Sequence, residues 1–120
     1  MIVIVTGSRY HKDRAKVYAR LDQLPPGVLI RVGDCPSGVD KFVDQWMDTR
    51  PPGTVILEQH KADWNKYGPS AGPRRNGEMV RAGADLCIAF PTGTKRDESK
   101  GTWDCVDQAR RAGIPVEVIQ

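Results

Sequence analysis

Several residue types that would mark a particular class of protein are scarce in this chain. Its 120 residues include three cysteines, without a Cys-x-x-Cys pair, and two histidines. These numbers argue against a disulfide framework and against a structural zinc site. The longest apolar run near the start, Ile2–Val5, is far too short for a signal peptide or a membrane span. We therefore expect a cytoplasmic protein with no metal, no cofactor and no membrane association.

Length and charge further limit the class of protein that this chain can be. A chain of 120 residues predicts one domain, residues 1–120, with a core of its own. The net charge of +3 is weak, but five basic residues against two acidic ones lie between positions 61 and 81. A short basic face suits a phosphate ligand better than a nucleic-acid duplex, which needs a longer basic stripe.

Apolar runs alternate with helical patterns along the chain. The predicted strands are Ile2–Val5, Val28–Val32, Thr54–Leu57, Leu86–Phe90 and Val116–Ile119. The predicted helices run over Asp13–Leu24, from an N-cap at Ser37 to Met47, from Pro73 to about Gly83, and from a cap at Thr102 to a stop at Gly113. Gln59–Gly72 is predicted as a polar loop and Thr94–Lys100 as a charged, flexible insert. This alternation predicts a three-layer α/β fold with a five-stranded parallel sheet flanked by helices.

The loops that follow the strands carry most of the unusual residues. Right-handed crossovers place these loops at one edge of a parallel sheet, where ligands of such folds bind. Gly7 would let the backbone approach a ligand, and Ser8 and Arg9 would contact phosphate. A tight turn with a solvated arginine explains the same residues equally well. The absence of G-x-G-x-x-G excludes an ordinary NAD fingerprint.

The second loop, Gly33 to Asp40, is rich in glycine and precedes a helix. Free N–H groups at a helix start attract anions, so Gly33, Ser37 and Gly38 are predicted ligand contacts. Asp40 either binds a ribose hydroxyl or caps its own helix. Cys35 lies beside a helix start, but nothing in the sequence suggests a base for a catalytic thiol.

The third and fourth loops add arginines, aromatics and a carboxylate. Trp64 and Tyr67 either stack on a base or close the edge of the core. Arg74 and Arg75 open a helix, where the helix dipole disfavours cations unless an anion lies nearby. Gly93, Gly101 and Thr102 form a predicted phosphate cradle. Asp104 would bind ribose hydroxyls, hold a water or stabilise positive charge on a sugar; helix-dipole complementation is the alternative.

Taken in order, the motifs resemble a known family over essentially the whole chain. TGSR, GDCPSGVD, ADWNKYGPSAGPRRNGEM, ADLCIAF, GTWD and IPVEVI are similar to the YspA-like (cpYpsA-related) branch of the SLOG superfamily. That superfamily includes the LOG phosphoribohydrolases and the DNA-processing protein DprA. The resemblance implies a Rossmann-like fold, a nucleotide or nucleotide-derived ligand, occurrence in phages and bacteria, and a homodimer.

The resemblance also assigns residues. Arg75 to Met79 matches the R-K-x-x-M helix start of the LOG enzymes, and Gly101 to Asp104 matches the end of their P-G-G-x-G-T-x-E loop, with Asp104 at the first glutamate. Arg75 and Asp104 would then be the catalytic pair. The full set of predicted ligand-binding residues is Gly7, Ser8, Arg9, Gly33, Ser37, Gly38, Asp40, Trp64, Arg74, Asn76, Gly93, Gly101 and Thr102.

Three functions stay open at this point. The first is a binding module that senses or sequesters a nucleotide or a nucleotide-derived ligand. The second is an N-glycosidase that acts on a nucleoside monophosphate, with Arg75 on the phosphate and Asp104 stabilising an oxocarbenium-like transition state. The third is single-stranded nucleic-acid binding, against which the weak net charge argues.

Overall fold

The computed structural model of the protein describes residues 1–120. The strands are β1 (Ile2–Gly7), β2 (Val28–Gly33), β3 (Val55–His60), β4 (Leu86–Phe90) and β5 (Val116–Val118). The helices are α1 (Arg14–Leu21), α2 (Gly38–Met47), α3 (Trp64–Tyr67), α4 (Ala71–Ala82) and α5 (Lys100–Arg111). None of these helices combines the length and the apolar character that crossing a bilayer requires.

The five strands form one parallel sheet in the order β3-β2-β1-β4-β5. The predicted three-layer, Rossmann-like α/β fold is therefore confirmed. The chain first builds outward from β1 to β2 and β3, and then returns to place β4 on the other side of β1. The strand order thus reverses at β1 and β4, and the loops after these two strands border the crevice where open α/β sheets bind ligands.

The core has two parts because the sheet is covered on both faces. On one face Val3 and Val5 of β1 pack with Val17 of α1 and Val43 of α2. On the other face Ile4 packs with the sulfur-containing side chains of α4, β4 and α5, which are Met79, Cys87 and Cys105. A strand that is buried on both faces needs apolar residues at every position, which explains the unbroken β-branched run of β1.

The loop predicted between β3 and α4 has more structure than its sequence suggested. Gln59 and His60 continue β3, and a short helix, α3, follows because the Asp63 carboxylate accepts the N–H of Lys66 at 3.1 Å. A 3₁₀ turn then leads into α4, which begins at Ala71 rather than at Pro73. Proline is tolerated there because the first helical turn has no intrahelical N–H bonds to lose.

The predicted flexible insert, Thr94–Lys100, is also ordered. Arg96–Ser99 forms a 3₁₀ turn, and α5 begins directly after it at Lys100. Arg96 holds this turn in place, since it donates two hydrogen bonds to Asp107, at 2.9 and 3.2 Å, and stacks on Trp103. Thr102 consequently lies inside the first turn of α5, so its assignment as a helix cap was wrong.

Candidate functional site

A cavity of about 550 Å³ opens at the carboxyl ends of β1 and β4, where the strand order reverses. Its lining comes from the loops after β1, β2 and β4, from α3 and α4, and from the start of α5. Most of the predicted site residues are among the lining residues: Gly7, Ser8, Arg9, Gly33, Asp40, Trp64, Arg75, Asn76, Gly101, Thr102 and Asp104. The fold therefore gathers residues that are far apart in the sequence around one space.

Helix α4 forms the floor of this cavity. Gly72, Asn76 and Met79 line it, and their i, i+4, i+7 spacing puts them on one face of the helix. Gly72 leaves room for the indole of Trp64, because a Cβ atom at position 72 would lie 3.2 Å from the ring. Trp64 is 51% exposed and lines the cavity, so it does not close the core.

Arg75 presents an unpaired positive charge to the cavity. Its Nε–H donates to the Asn76 side-chain carbonyl at 3.0 Å, and its Nη1 donates to the backbone carbonyl of His60 at 3.4 Å. Both hydrogen-bond partners are neutral. No carboxylate forms an ion pair with this guanidinium, although Asp40 lies close enough to interact with it electrostatically. Arg9, which also lines the cavity, has no ion pair either. Two guanidinium groups are thus available to an anion.

Asn76 connects the two residues that the resemblance assigned to catalysis. Its side chain is buried. The amide N–H groups donate to Asp104 Oδ2 at 3.0 Å and to the Gly101 carbonyl at 3.2 Å. The side-chain carbonyl accepts a hydrogen bond from Arg75. Gln108 donates a further hydrogen bond to Asp104 Oδ2 at 2.9 Å. Both bonds to Asp104 end on Oδ2, so Oδ1 has no protein hydrogen-bond partner at the cavity that Asp104 lines.

The glycine loop after β2 is held by Asp40. The Asp40 carboxylate accepts the N–H of Cys35 at 3.1 Å and does not cap its own helix. Burial raises the pKa of Asp40, while the Cys35 N–H and the Arg75 guanidinium act in the opposite direction. A Cβ atom at position 33 would lie 2.6 Å from Asp40 Oδ2. Gly33 therefore allows Arg75 and Asp40 to converge beneath the loop.

Ser8 organises the loop after β1. Its hydroxyl accepts from the Tyr10 N–H at 3.0 Å and from the Thr92 hydroxyl at 2.8 Å, and its carbonyl accepts the Val39 N–H at 3.2 Å. Gly7, one residue earlier, faces Val39, whose Cβ atom would lie 2.6 Å from a side chain at position 7. The Thr-Gly-Ser turn thus joins β1 to α2 and β4 as well as lining the cavity.

Four residues of the predicted ligand set lie away from the cavity: Ser37, Gly38, Arg74 and Gly93. Ser37 donates its hydroxyl to the Arg9 carbonyl at 3.1 Å, and Gly38 adopts a positive φ of 68° where α2 meets the backbone of Ser8 and Arg9. Arg74 points outward, bonds to the Ser70 hydroxyl and stacks 4.3 Å from the Tyr67 ring centre. Packing explains these positions.

The loop after β4 is held by hydrogen bonds within the protein. Ser99 accepts the N–H of Thr92 at 2.8 Å, and the Glu98 carboxylate accepts the N–H of Thr94 at 3.2 Å. A Cβ atom at Gly93 would overlap Glu98, so of the three residues of the predicted phosphate cradle Gly93 lies outside the cavity. Gly101 and Thr102 line the cavity at the start of α5, which no side chain caps.

The sequence reasoning missed several lining residues. Tyr10, which is 72% exposed, faces the cavity, as do four consecutive residues of the insert and its junction with α5: Asp97, Glu98, Ser99 and Lys100. The charge pattern of the insert suggested solvent exposure, and nothing local to it indicated a cavity wall. A second cavity of about 460 Å³ adjoins the first and shares Arg9, Cys35, Trp64 and Arg75 with it.

The chain has a clear relative in a bacteriophage. It is 46% identical over 120 residues to the Gene 61 protein of Mycobacterium phage D29, in an alignment that spans 95% of this chain and 92% of the relative. No family model matches the chain, and no solved structure matches it. On the strength of this nearly full-length identity, the protein belongs to the family of the mycobacteriophage Gene 61 protein.

Proposed function

We propose that this protein binds a nucleotide or nucleotide-derived ligand in the cavity at the carboxyl edge of the sheet, as a sensor or sequestering module. The observation that carries the proposal is the Arg75 guanidinium, which lies on the cavity floor with neutral hydrogen-bond partners and no ion pair. A charge held this way stabilises an anionic group, and a planar guanidinium suits phosphate. The resemblance to the SLOG superfamily supports the same ligand class.

The test is a binding titration with nucleoside monophosphates and diphosphates, by calorimetry and thermal shift. Arg75→Gln should weaken binding by about tenfold or more, as expected for the loss of a charge-assisted contact of about 1.5–3 kcal/mol. Arg74→Gln is the matched control, because the neighbouring arginine on the same helix points away from the cavity. Equal losses in both variants would indicate a general charge effect and would contradict the proposal.

A second candidate function is cleavage of the N-glycosidic bond of a nucleoside monophosphate. It is favoured by Asp104, which lines the same cavity as Arg75 and whose Oδ2 is fixed by Asn76 and Gln108 while Oδ1 has no protein hydrogen bond. A carboxylate fixed in this way would stabilise an oxocarbenium-like transition state. Chromatography of released base tests this function. Asp104→Asn, which keeps an acceptor for both amides, should abolish turnover and retain ligand binding.

A further inference from the structure

The two adjoining cavities share some of their lining residues. We call the cavities the first and the second chamber, and the shared residues their common wall. The first has a volume of about 550 Å³ and the second about 460 Å³. Each volume falls within the range of about 300–1,000 Å³ that is typical of small-molecule sites. The residues of the common wall are Arg9, Cys35, Trp64 and Arg75. Both unpaired guanidinium groups therefore lie where the chambers meet.

The charged residues that line only one of the two chambers are mostly acidic. Asp40, Asp97, Glu98 and Asp104 line the first chamber, with Lys100 as the one cation among them, and Asp34 lines the second. An excess of carboxylates repels a phosphate and offers acceptors to hydroxyl or amino groups. Favourable electrostatics thus place an anion at the two arginines of the common wall, and hydrogen-bond donors of the ligand at the carboxylates.

The loop after β4 offers little to an anion. The N–H groups of Thr92 and Thr94 are accepted by Ser99 and Glu98, and neither threonine lines the first chamber. At the common wall, the N–H of Cys35 is likewise accepted by Asp40, so the two guanidinium groups of Arg9 and Arg75 are the donors that remain there for a phosphate.

We propose that the ligand carries its phosphate internally, as a phosphodiester or diphosphate that bridges two organic groups. The bridging phosphate lies between Arg9 and Arg75, the nucleoside occupies the first chamber with its hydroxyls toward Asp104, and the second organic group occupies the other chamber beside Trp64. This inference rests on the proposed function and narrows its ligand class. A nucleoside monophosphate fills one chamber, whereas a nucleoside diphosphate conjugate fills both.

Matched ligand pairs test the inference without knowledge of the preferred base. We would titrate the protein with AMP and ADP-ribose, UMP and UDP-glucose, and GMP and GDP-mannose. For the preferred base, the conjugate should bind about tenfold or more tightly than the monophosphate, because a second group gains contacts in the second chamber. Equal affinity within any pair that binds would overturn the inference and leave the proposed function intact.

A variant that fills the second chamber provides the structural control. Ala62 lines that chamber and not the first, so Ala62→Trp should reduce the affinity of the conjugate about tenfold, to the level of the monophosphate, and change monophosphate binding less than about twofold. Ala19→Trp, at an exposed position of α1, controls for the added indole. An equal loss for both ligands, or no loss for the conjugate, would overturn the two-chamber assignment.

The two proposals fail in different ways. Binding of monophosphates without any preference for conjugates removes the internal-phosphate inference alone. Absence of binding by every member of the three pairs, at concentrations up to about the millimolar range of weak ligands, removes the proposed function and the inference with it.

Discussion

Replacing Asn76 by aspartate should separate the role of its amide from the role of its shape. The substitution keeps nearly the same volume, and the introduced carboxylate can still accept the Arg75 Nε–H. It removes the donor that now bonds to Asp104 Oδ2 at 3.0 Å and to the Gly101 carbonyl at 3.2 Å. Oxygen would then face oxygen at both contacts, in a place where the native side chain is only 1% exposed.

The expected cost follows from those two hydrogen bonds. A bond to a neutral acceptor contributes about 0.5–1.5 kcal/mol and one to a charged acceptor about 1.5–3 kcal/mol, so Asn76→Asp should lose about 2–4 kcal/mol at neutral pH. Repulsion between the two carboxylates raises the pKa of the pair in the folded state. The folded protein therefore retains a proton that the unfolded chain has released, and the loss should shrink as the pH falls from 7 toward 5.

Urea unfolding, followed through the fluorescence of the buried Trp46, measures this difference from wild type at pH 7, 6 and 5. Gln108→Glu is the matched control, because it also turns an amide beside Asp104 into a carboxylate, but at a partly exposed position. It should cost less than about 1 kcal/mol. A loss at Asn76 that is below about 0.5 kcal/mol, or that does not depend on pH, would refute the assigned hydrogen-bond network.

Three further predictions concern other parts of the molecule. Burial, together with Lys16, lowers the pKa of His11 below its usual 6.5. The unfolded state then binds the proton more tightly, so the free energy of unfolding of the wild type should fall as the pH drops below 6.5. His11→Asn should reduce this dependence on pH in urea titrations. Gly38→Ala should destabilise the protein by more than the ~1–2 kcal/mol of a left-handed alanine, whereas Gly53→Ala, with open space around it, should cost only that amount in thermal unfolding. Glu98→Gln should strengthen binding of an anionic ligand about two- to fivefold by calorimetry, because the insert loses a negative charge. Weaker binding would contradict the view that the carboxylates of the insert repel an anion from the cavity.

The layered fold was predictable because its signals are local. The β-branched run of β1, the glycines after it and the apolar spacing of α2 each specify their element without help from distant residues. Strand alternation then dictates parallel pairing, and parallel pairing brings the loops to one edge. The dipole argument for Arg75 assumed a helix that begins at Pro73. Because α4 begins at Ala71, Arg75 is its fifth residue and lies beyond the first turn, where the dipole acts.

The rest of the site depends on contacts that the local sequence does not encode. The insert before α5 is ordered by Arg96 bonding to Asp107 and stacking on Trp103, and its charged composition alone indicated flexibility. Glycine is ambiguous in a similar way. Gly38 and Gly33 carry the same sequence signal, but one permits the backbones of two elements to approach and the other leaves space for Arg75 and Asp40. Only the three-dimensional packing distinguishes these uses.

Whether the protein catalyses a reaction is a separate question from whether it binds a ligand. Asp104 and Arg75 share a cavity through Asn76, but the loop after β4 has its donors satisfied by Glu98 and Ser99. Both the binding module and the hydrolase would hold the phosphate at Arg75, so release of free base, and not affinity for the phosphate, distinguishes the two functions.

The central claim is that a nucleotide phosphate binds at the carboxyl edge of the sheet beside Arg75. The most direct test is a ¹⁵N-edited NMR titration with the tightest ligand of the three pairs. We predict that the amide signals of Gly33, Arg75 and Asn76, and the Arg75 Nε–H signal, shift together and saturably, while those of α1 do not. Shifts that cluster on α1 or on the outer strand β5, with the Arg75 signals unchanged, would contradict the account.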